Sequence, residues 1–200
     1  MDLVIIDYGA GNIANVRNAF KKLGFSCRAN GSETEWEKAD ALVLPGVGAF
    51  GAAMKNLGAK SRKLKTIITE NETPFFGVCL GMQLLMEGSE ESPGAKGLGI
   101  IKGSAKRFRT ALPVPHMGWN KVKASPSPFF DGIEDFFAYF VHSYYCVPVD
   151  NECVSATTAY GAPFASAVSK GRIFATQFHP EKSGESGLRL LANFVKGVRR

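Results

Sequence analysis

The stretch Phe75-Phe76-Gly77-Val78-Cys79-Leu80-Gly81-Met82-Gln83 constrains the fold more than any other part of the chain. The apolar run 74–78 reads as a buried strand and 82–86 as a short helix, so little more than Gly-x-Cys-x-Gly lies between them. A strand that passes so directly into a helix turns a sharp corner. Small residues at Gly77 and Gly81 let neighbouring backbone, and a substrate, come close. The corner presents Cys79 as in a nucleophile elbow, with sulfur in place of the serine hydroxyl. It also aims backbone N–H groups at the space beside the sulfur, where they and the helix N-terminus favour both a thiolate and an oxyanion.

The surrounding pattern fits such a corner. Strand signals at 3–7, 25–29, 41–44 and 75–78 alternate with helical ones at 12–23 and 62–70, and in the first helix Val16, Ala19, Phe20 and Leu23 fall on one face. Alternation of this kind implies an α/β fold with a mostly parallel central sheet and flanking helices. The second half is β-rich, with strands expected at 98–102, 106–108, 136–141, 153–158, 164–168 and 172–176, and a hairpin around Lys170-Gly171. A last helix, 185–198, puts Leu188, Leu191, Phe194, Val195 and Val198 on one face, and the polar segments 87–97 and 124–132 read as surface loops. The 200 residues fit one domain, 1–200, which buries roughly 70% of its unfolded surface without a disulfide or metal staple.

Charge and cysteine usage exclude several classes of function. The net charge of +6 comes from scattered Lys and Arg, so no basic stripe marks a nucleic-acid surface. The four cysteines form no CxxC pair and no zinc spacing, and Cys27, Cys146 and Cys153 lie in apolar runs as inert core thiols. No signal peptide and no membrane-length apolar run is visible, and the simplest compartment is the cytoplasm.

A thiol nucleophile needs a base and a group to orient it. The histidines are His116, His142 and His179. An apolar strand delivers His179 to its C-terminal end, where open α/β sheets place their ligands. Glu181 stands two residues on, on the same side of an extended chain, placed to hold the imidazole edge that faces away from the sulfur. Taken alone, His179 is equally a satisfied strand-end histidine, and Glu181 a helix-start acid. His142 is the competing base but has no carboxylate at the matching position, and Cys146 is a second thiol without an elbow. Gln83 lies four residues past Cys79, one turn along the helix. Another class of function also has a foothold, because Gly9-Ala10-Gly11-Asn12-Ile13-Ala14 follows a strand and opens a helix, as a dinucleotide fingerprint does. The acid expected after the second strand is replaced by Arg28-Ala29-Asn30, and a tight turn with Asn12 as helix N-cap accounts for the same residues.

Gly77-Val78-Cys79-Leu80-Gly81 together with His179-Pro180-Glu181 resembles the class I, or triad, glutamine amidotransferases over nearly the whole chain. Pro45-Gly46-Val47-Gly48-Ala49-Phe50 resembles that family's oxyanion loop. Asp7-Tyr8-Gly9-Ala10-Gly11-Asn12 and Pro115-His116-Met117-Gly118-Trp119-Asn120 narrow the likeness to the branch that serves imidazole glycerol phosphate synthesis in histidine biosynthesis. The resemblance implies Cys79, His179 and Glu181 as the triad, with Leu80, Val47 and Gly48 at the oxyanion hole. It implies Gly46, Gln83, His142, Ser143 and Tyr144 as substrate contacts, and neither metal nor organic cofactor. It further implies a heterodimer with a cyclase subunit, a (β/α)8 barrel that receives the ammonia. Met117 and Trp119, read as part of a loop, would dock that barrel, with Asn12, Asn120, Tyr139 and Lys182 near the same mouth. Lys182 is equally a solvated surface charge. A stand-alone triad amidase, or the glutaminase of another synthase, is the competing reading.

Overall fold

The computed structural model describes residues 1–198. The first half runs β1 (Leu3–Ile6), α1 (Ile13–Lys22), β2 (Cys27–Asn30), α2 (Glu33–Glu37), β3 (Ala41–Gly46), α3 (Phe50–Leu57), α4 (Lys60–Thr69), β4 (Phe75–Cys79) and α5 (Leu80–Gln83). The second half runs β5 (Gly88–Ser89), β6 (Gly103–Arg107), β7 (His116–Ala124), β8 (Phe136–His142), β9 (Tyr144–Pro148), β10 (Val154–Tyr160), β11 (Ala162–Lys170), β12 (Ile173–Thr176) and α6 (Gly184–Val198).

Nine strands form one sheet in the order β2-β1-β3-β4-β12-β11-β10-β7-β8, and β5-β6-β9 form a second. From β2 to β12 every pairing is parallel. From β12 to β8 every pairing is antiparallel. The mostly parallel sheet expected from the sequence is therefore a mixed one. The reason is connection length: the turns between β10, β11 and β12 are too short for a crossover and force hairpins.

Apart from the edge strand β2, the parallel strands are buried on both faces, and their side chains divide by the period of two. Leu3 and Ile5 of β1, Val43 of β3 and Phe76 of β4 pack with Val16 and Phe20 of α1 and Leu191 and Phe194 of α6. Val4, Ile6, Leu42, Leu44 and Phe75 face the other way, onto Trp36, Phe50, Leu57, Leu64 and Ile67 of α2, α3 and α4. The Asn12 side chain accepts the Asn15 N–H at 3.2 Å and caps α1 as expected. Among the described residues no helix is long and apolar enough to cross a membrane.

Several local expectations are corrected. The helix after Cys79 is Leu80–Gln83 rather than 82–86, and a turn follows it. Residues 98–102 form no strand, although Leu98, Ile100 and Ile101 are buried. Their N–H groups bond instead to the carbonyls of Leu84 and Leu85, closing the open end of the elbow helix. The Met117–Trp119 stretch, read as a loop because of its Pro and Gly, belongs to the strand β7. The segment 124–132 is not wholly a surface loop. Its 3-10 turn Pro128–Phe130 buries Phe130 and stacks Phe129 on Phe174 with ring centroids 4.1 Å apart. The helix α3 and the strand β9 carried signals that went unread: Phe50, Ala53 and Leu57 in α3 are buried at helical spacing.

Candidate active site

The end of β4 is packed against its neighbours with no room for side chains. A Cβ on Gly81 would stand 2.0 Å from the Leu44 carbonyl oxygen, and one on Gly77 would stand 2.9 Å from that of Gly81. Leu80 and Gly81 are thus pressed onto the end of β3, and the chain turns at Cys79 with φ +54°, in the left-handed region that non-glycine residues avoid. Because α5 is a single turn, the elbow relies on its individual N–H groups rather than on a long helix dipole.

β12 pairs with β4 so that Thr176 lies beside Val78, which brings the two strand ends together. Beyond β12 the chain reaches His179, whose backbone N–H donates to Tyr139 at 3.0 Å and whose carbonyl accepts from the Ser183 hydroxyl at 2.7 Å. With its backbone held at both ends, the ring has a fixed position. Its Nδ1 is 2.9 Å from Glu181 Oε1, and both side chains are nearly inaccessible. Burial by itself lowers the pKa of His179, but the interactions with Cys79 and then with Glu181 outweigh it and raise the pKa to about 10. Nε2 is buried with no hydrogen-bond partner in this geometry, although Cys79 is the neighbour that most raises the ring's pKa. Thiol–imidazole contacts commonly tighten only around the reacting substrate.

A cavity of about 370 Å³ opens beside the sulfur. Cys79, Leu80 and Gln83 come from the elbow, and Val47 and Gly48 from the loop after β3. His142, Ser143 and Tyr144 come from the crossing between β8 and β9, with His179 opposite. Two residues act from behind this wall: Glu181 backs His179, and Gly46 lies so tightly under the elbow that its Cβ would meet that of Leu80 at 2.6 Å. Glu91, which the sequence reading missed, adds a carboxylate to the wall, a counterpart for the α-ammonium of an amino acid. No local motif singles it out. It is brought in by its bond from the Phe50 N–H at 2.7 Å.

Rival readings lose their footing here. Burial lowers the pKa of His142 to about 3 and that of His116 to about 4. The two neutral rings bond to each other, which occupies both nitrogens of His142 and leaves it no role as base. Cys146 is fully buried on β9, and burial raises its thiol as it does those of Cys27 and Cys153. The Gly9–Ala14 turn packs on Pro45, with the Tyr8 hydroxyl donating to the Pro45 carbonyl at 3.0 Å. This turn supports the end of β3 and the loop that follows it. A larger cleft of about 570 Å³ lies between α6 and Phe129, at the opposite ends of β4 and β12, and its lining holds neither a cysteine nor a histidine. Among the described residues no cluster of His, Cys, Asp and Glu forms a metal cage.

The hairpin β7–β8 presents an apolar outward face. Met117, Trp119 and Phe137 are 65%, 58% and 60% exposed. Trp119 lies opposite Tyr139 in the pairing, and the Lys182 Nζ stands 5.4 Å from the centre of the Tyr139 ring. Val141, on the same face, lines the cavity, so the face reaches the mouth of the site. Phe137 was not foreseen. Asn120 departs from expectation, because its side chain points inward and its Nδ2 bonds to His116 and to the Ala159 carbonyl. Asn12 commits its side-chain oxygen to capping α1.

The model of the glutamine amidotransferase class-I family matches residues 4–198. The chain belongs to that family. Within it, the chain is 48% identical to the imidazole glycerol phosphate synthase subunit HisH of Methanothermobacter thermautotrophicus, over 98% of this chain and 99% of that one. Identity to the corresponding subunit of Methanocaldococcus jannaschii is 47%, over 96% and 97% of the two chains. A solved glutamine amidotransferase superposes with a TM-score of 0.77 over 99% of both chains at 20% identity, which shows the shared fold. The chain is thus a HisH-type glutaminase subunit of imidazole glycerol phosphate synthase, an enzyme of histidine biosynthesis that works with a second subunit.

Proposed function

We propose that Cys79, His179 and Glu181 carry out the glutamine hydrolysis and that the face bearing Met117, Trp119, Phe137 and Tyr139 docks the cyclase subunit, a (β/α)8 barrel. The observation that carries this reading is the strained Cys79 facing a cavity beside the buried His179–Glu181 pair, with an exposed apolar face at the cavity mouth. Glutamine enters with its carboxamide against the sulfur. The Cys79 thiolate attacks the amide carbon, and the oxyanion falls to the Leu80 N–H and an N–H of the Val47–Gly48 segment, each worth roughly 3 kcal/mol. His179 gives its proton to the departing ammonia, leaving a thioester on Cys79. His179 then takes a proton from water, which attacks the thioester and releases glutamate through a second oxyanion. Glu181 keeps the imidazole in the tautomer that serves both steps. Glu91, with backbone from Ser143 and Tyr144, fits the amino-acid end of the substrate.

The docked barrel receives ammonia without exposing it to water, where it would become ammonium, and uses it to form imidazole glycerol phosphate and aminoimidazole carboxamide ribotide. The 47% exposure of Val47 supports an oxyanion loop that responds to the docked partner and its ligand. The complex works as a heterodimer in the cytoplasm, and the whole chain serves as one glutaminase domain.

Glutamate release from glutamine tests this reading, with the chain alone and with the cyclase subunit carrying its nucleotide ligand. Release that rises strongly with the liganded partner and vanishes in Cys79→Ala, which still binds the partner, is expected. Cys79-dependent release that ignores the partner would return the chain to a stand-alone amidase.

A further inference from the structure

Gln177 stands directly before the Phe178–His179 pair and is fully buried. Its side-chain Nε2 lies 3.6 Å from the Cys79 sulfur. Its Oε1 lies 3.3 Å from Gln83 Nε2, which also donates to the Tyr144 carbonyl at 3.0 Å. The roles proposed for the triad and the oxyanion loop do not account for this contact.

The direction of the bond to sulfur follows from the network. The Tyr144 carbonyl only accepts, so the Gln83 atom facing it is the amide nitrogen. The second hydrogen of that nitrogen then meets the oxygen of Gln177, which leaves the Gln177 NH2 aimed at Cys79. An independent chain fixes the same carbonyl from the other side. His142 Nδ1 faces Tyr144 O at 2.8 Å and therefore carries its proton. His142 Nε2, in the neutral ring, accepts from His116 Nδ1 at 3.1 Å, and His116 Nε2 accepts from Asn120 Nδ2 at 3.1 Å. The Asn120 orientation is confirmed by its second bond, to the Ala159 carbonyl at 2.9 Å. Every donor in this run has a matching acceptor, ending at the Tyr144 carbonyl, and the Gln83 amide bound to that carbonyl gives the Gln177 amide one orientation.

We propose that Gln177 is a further catalytic residue: its Nε2–H donates to the Cys79 sulfur and stabilises the thiolate before attack and when it leaves the thioester. Hydrogen bonds to a charged acceptor are the strong ones, and here the donor is buried beside the reacting atom. The bond asks nothing of His179, whose proton stays available for ammonia. Its location also explains why an amide occupies a fully buried position at the end of an apolar strand, where a hydrocarbon side chain would otherwise pack.

This inference rests on the glutaminase reading, but one arm of its test does not need turnover. Gln177→Met keeps the volume and removes the donor. In the complex with the cyclase subunit, kcat for glutamine hydrolysis is expected to fall about tenfold or more, with KM changed by less than about threefold. Alkylation of Cys79 by iodoacetamide at neutral pH, followed on the chain with no glutamine present, is expected to slow by a similar factor. Wild-type alkylation and wild-type kcat in a folded Gln177→Met would overturn the proposal. So would a kcat loss with alkylation unchanged, which would mark Gln177 as a support for the pocket alone. If the methionine variant fails to fold, Gln177→Asn decides, because it keeps a buried amide too short to span Gln83 and the sulfur. Slowed alkylation there supports the donor role, and an unchanged rate removes it. Absence of turnover in the wild-type complex would instead strike the glutaminase reading, visible apart from the alkylation result.

Discussion

The elbow at Cys79 and the hairpin β7–β8 are both exceptions to ordinary packing, in opposite senses. At the elbow, backbone meets backbone so closely that Gly77 and Gly81 admit no Cβ, and Cys79 is held at a positive φ. On the hairpin, large apolar side chains stand in solvent at Met117, Trp119 and Phe137. The close packing suits the role proposed for Cys79, since a nucleophile has to be fixed before its substrate arrives. The exposed face suits the docking proposed for it, since such a face leaves its apolar area uncovered until a partner supplies the other half. Val141 joins the two, since it belongs to the exposed face and also lines the cavity.

This contrast breaks most readily at the proposed triad. Glu181→Gln keeps the shape but weakens the hold on the imidazole, and kcat of the complex is expected to fall about 10³-fold, or ~4 kcal/mol, with little change in association. Because Glu181 helps to raise the His179 pKa, an NMR titration of the variant is expected to show a midpoint below about 10. An unshifted midpoint would mean that Cys79 alone sets it.

Next comes the backbone of the elbow. Gly81→Ala drives a Cβ into the Leu44 carbonyl, and a cost of about 3 kcal/mol, or a Tm lower by about 10 °C, is expected in thermal unfolding. A variant that melts with the wild type would show that β3 can withdraw, and that the elbow is less rigid than the hairpin comparison requires. On the other side of the comparison, Trp119→Ala is expected to weaken association about 30-fold while moving the Tm of the free chain by less than about 2 °C. Titration calorimetry beside thermal unfolding separates the two; a lower Tm with unchanged association would make Trp119 part of the fold.

The smallest effect is the pH dependence of stability, and it sharpens the division among the three histidines. His116 and His142 have folded pKa values below that of the unfolded chain, so their contribution is lost as pH falls from about 6.5 towards 4 and 3. His179 is raised, so its contribution is complete below about 6.5 and is lost as pH rises towards 10. Denaturant unfolding is therefore expected to show its histidine-linked maximum near neutrality. His116→Phe should reduce the acid-side loss to the part due to His142 and leave the alkaline side in place.

Much of the site was legible because its signals are local. Gly-x-Cys-x-Gly after an apolar run can turn only one way, and a carboxylate two residues beyond a strand-end histidine reaches the ring. Local signals also misled. The buried apolar residues near Leu98 looked like a strand but serve to close the elbow helix, and Pro115 and Gly118 made the strand β7, which pairs with both β10 and β8, look like a loop. The inward turn of Asn120 followed from its partners His116 and Ala159 rather than from its place in the motif.

By itself, then, the sequence determined the alternating α/β order, the corner at Cys79 and the pairing of His179 with Glu181, since each is set by residues within a few positions of one another. Only the tertiary structure decided that the sheet changes from parallel to antiparallel at β12, that Glu91 joins the cavity, that Phe137 extends the apolar face, and that Gln177 reaches the sulfur. Those outcomes depend on contacts between segments remote in the chain, and such contacts form when the hydrogen-bonding needs of buried groups are met together.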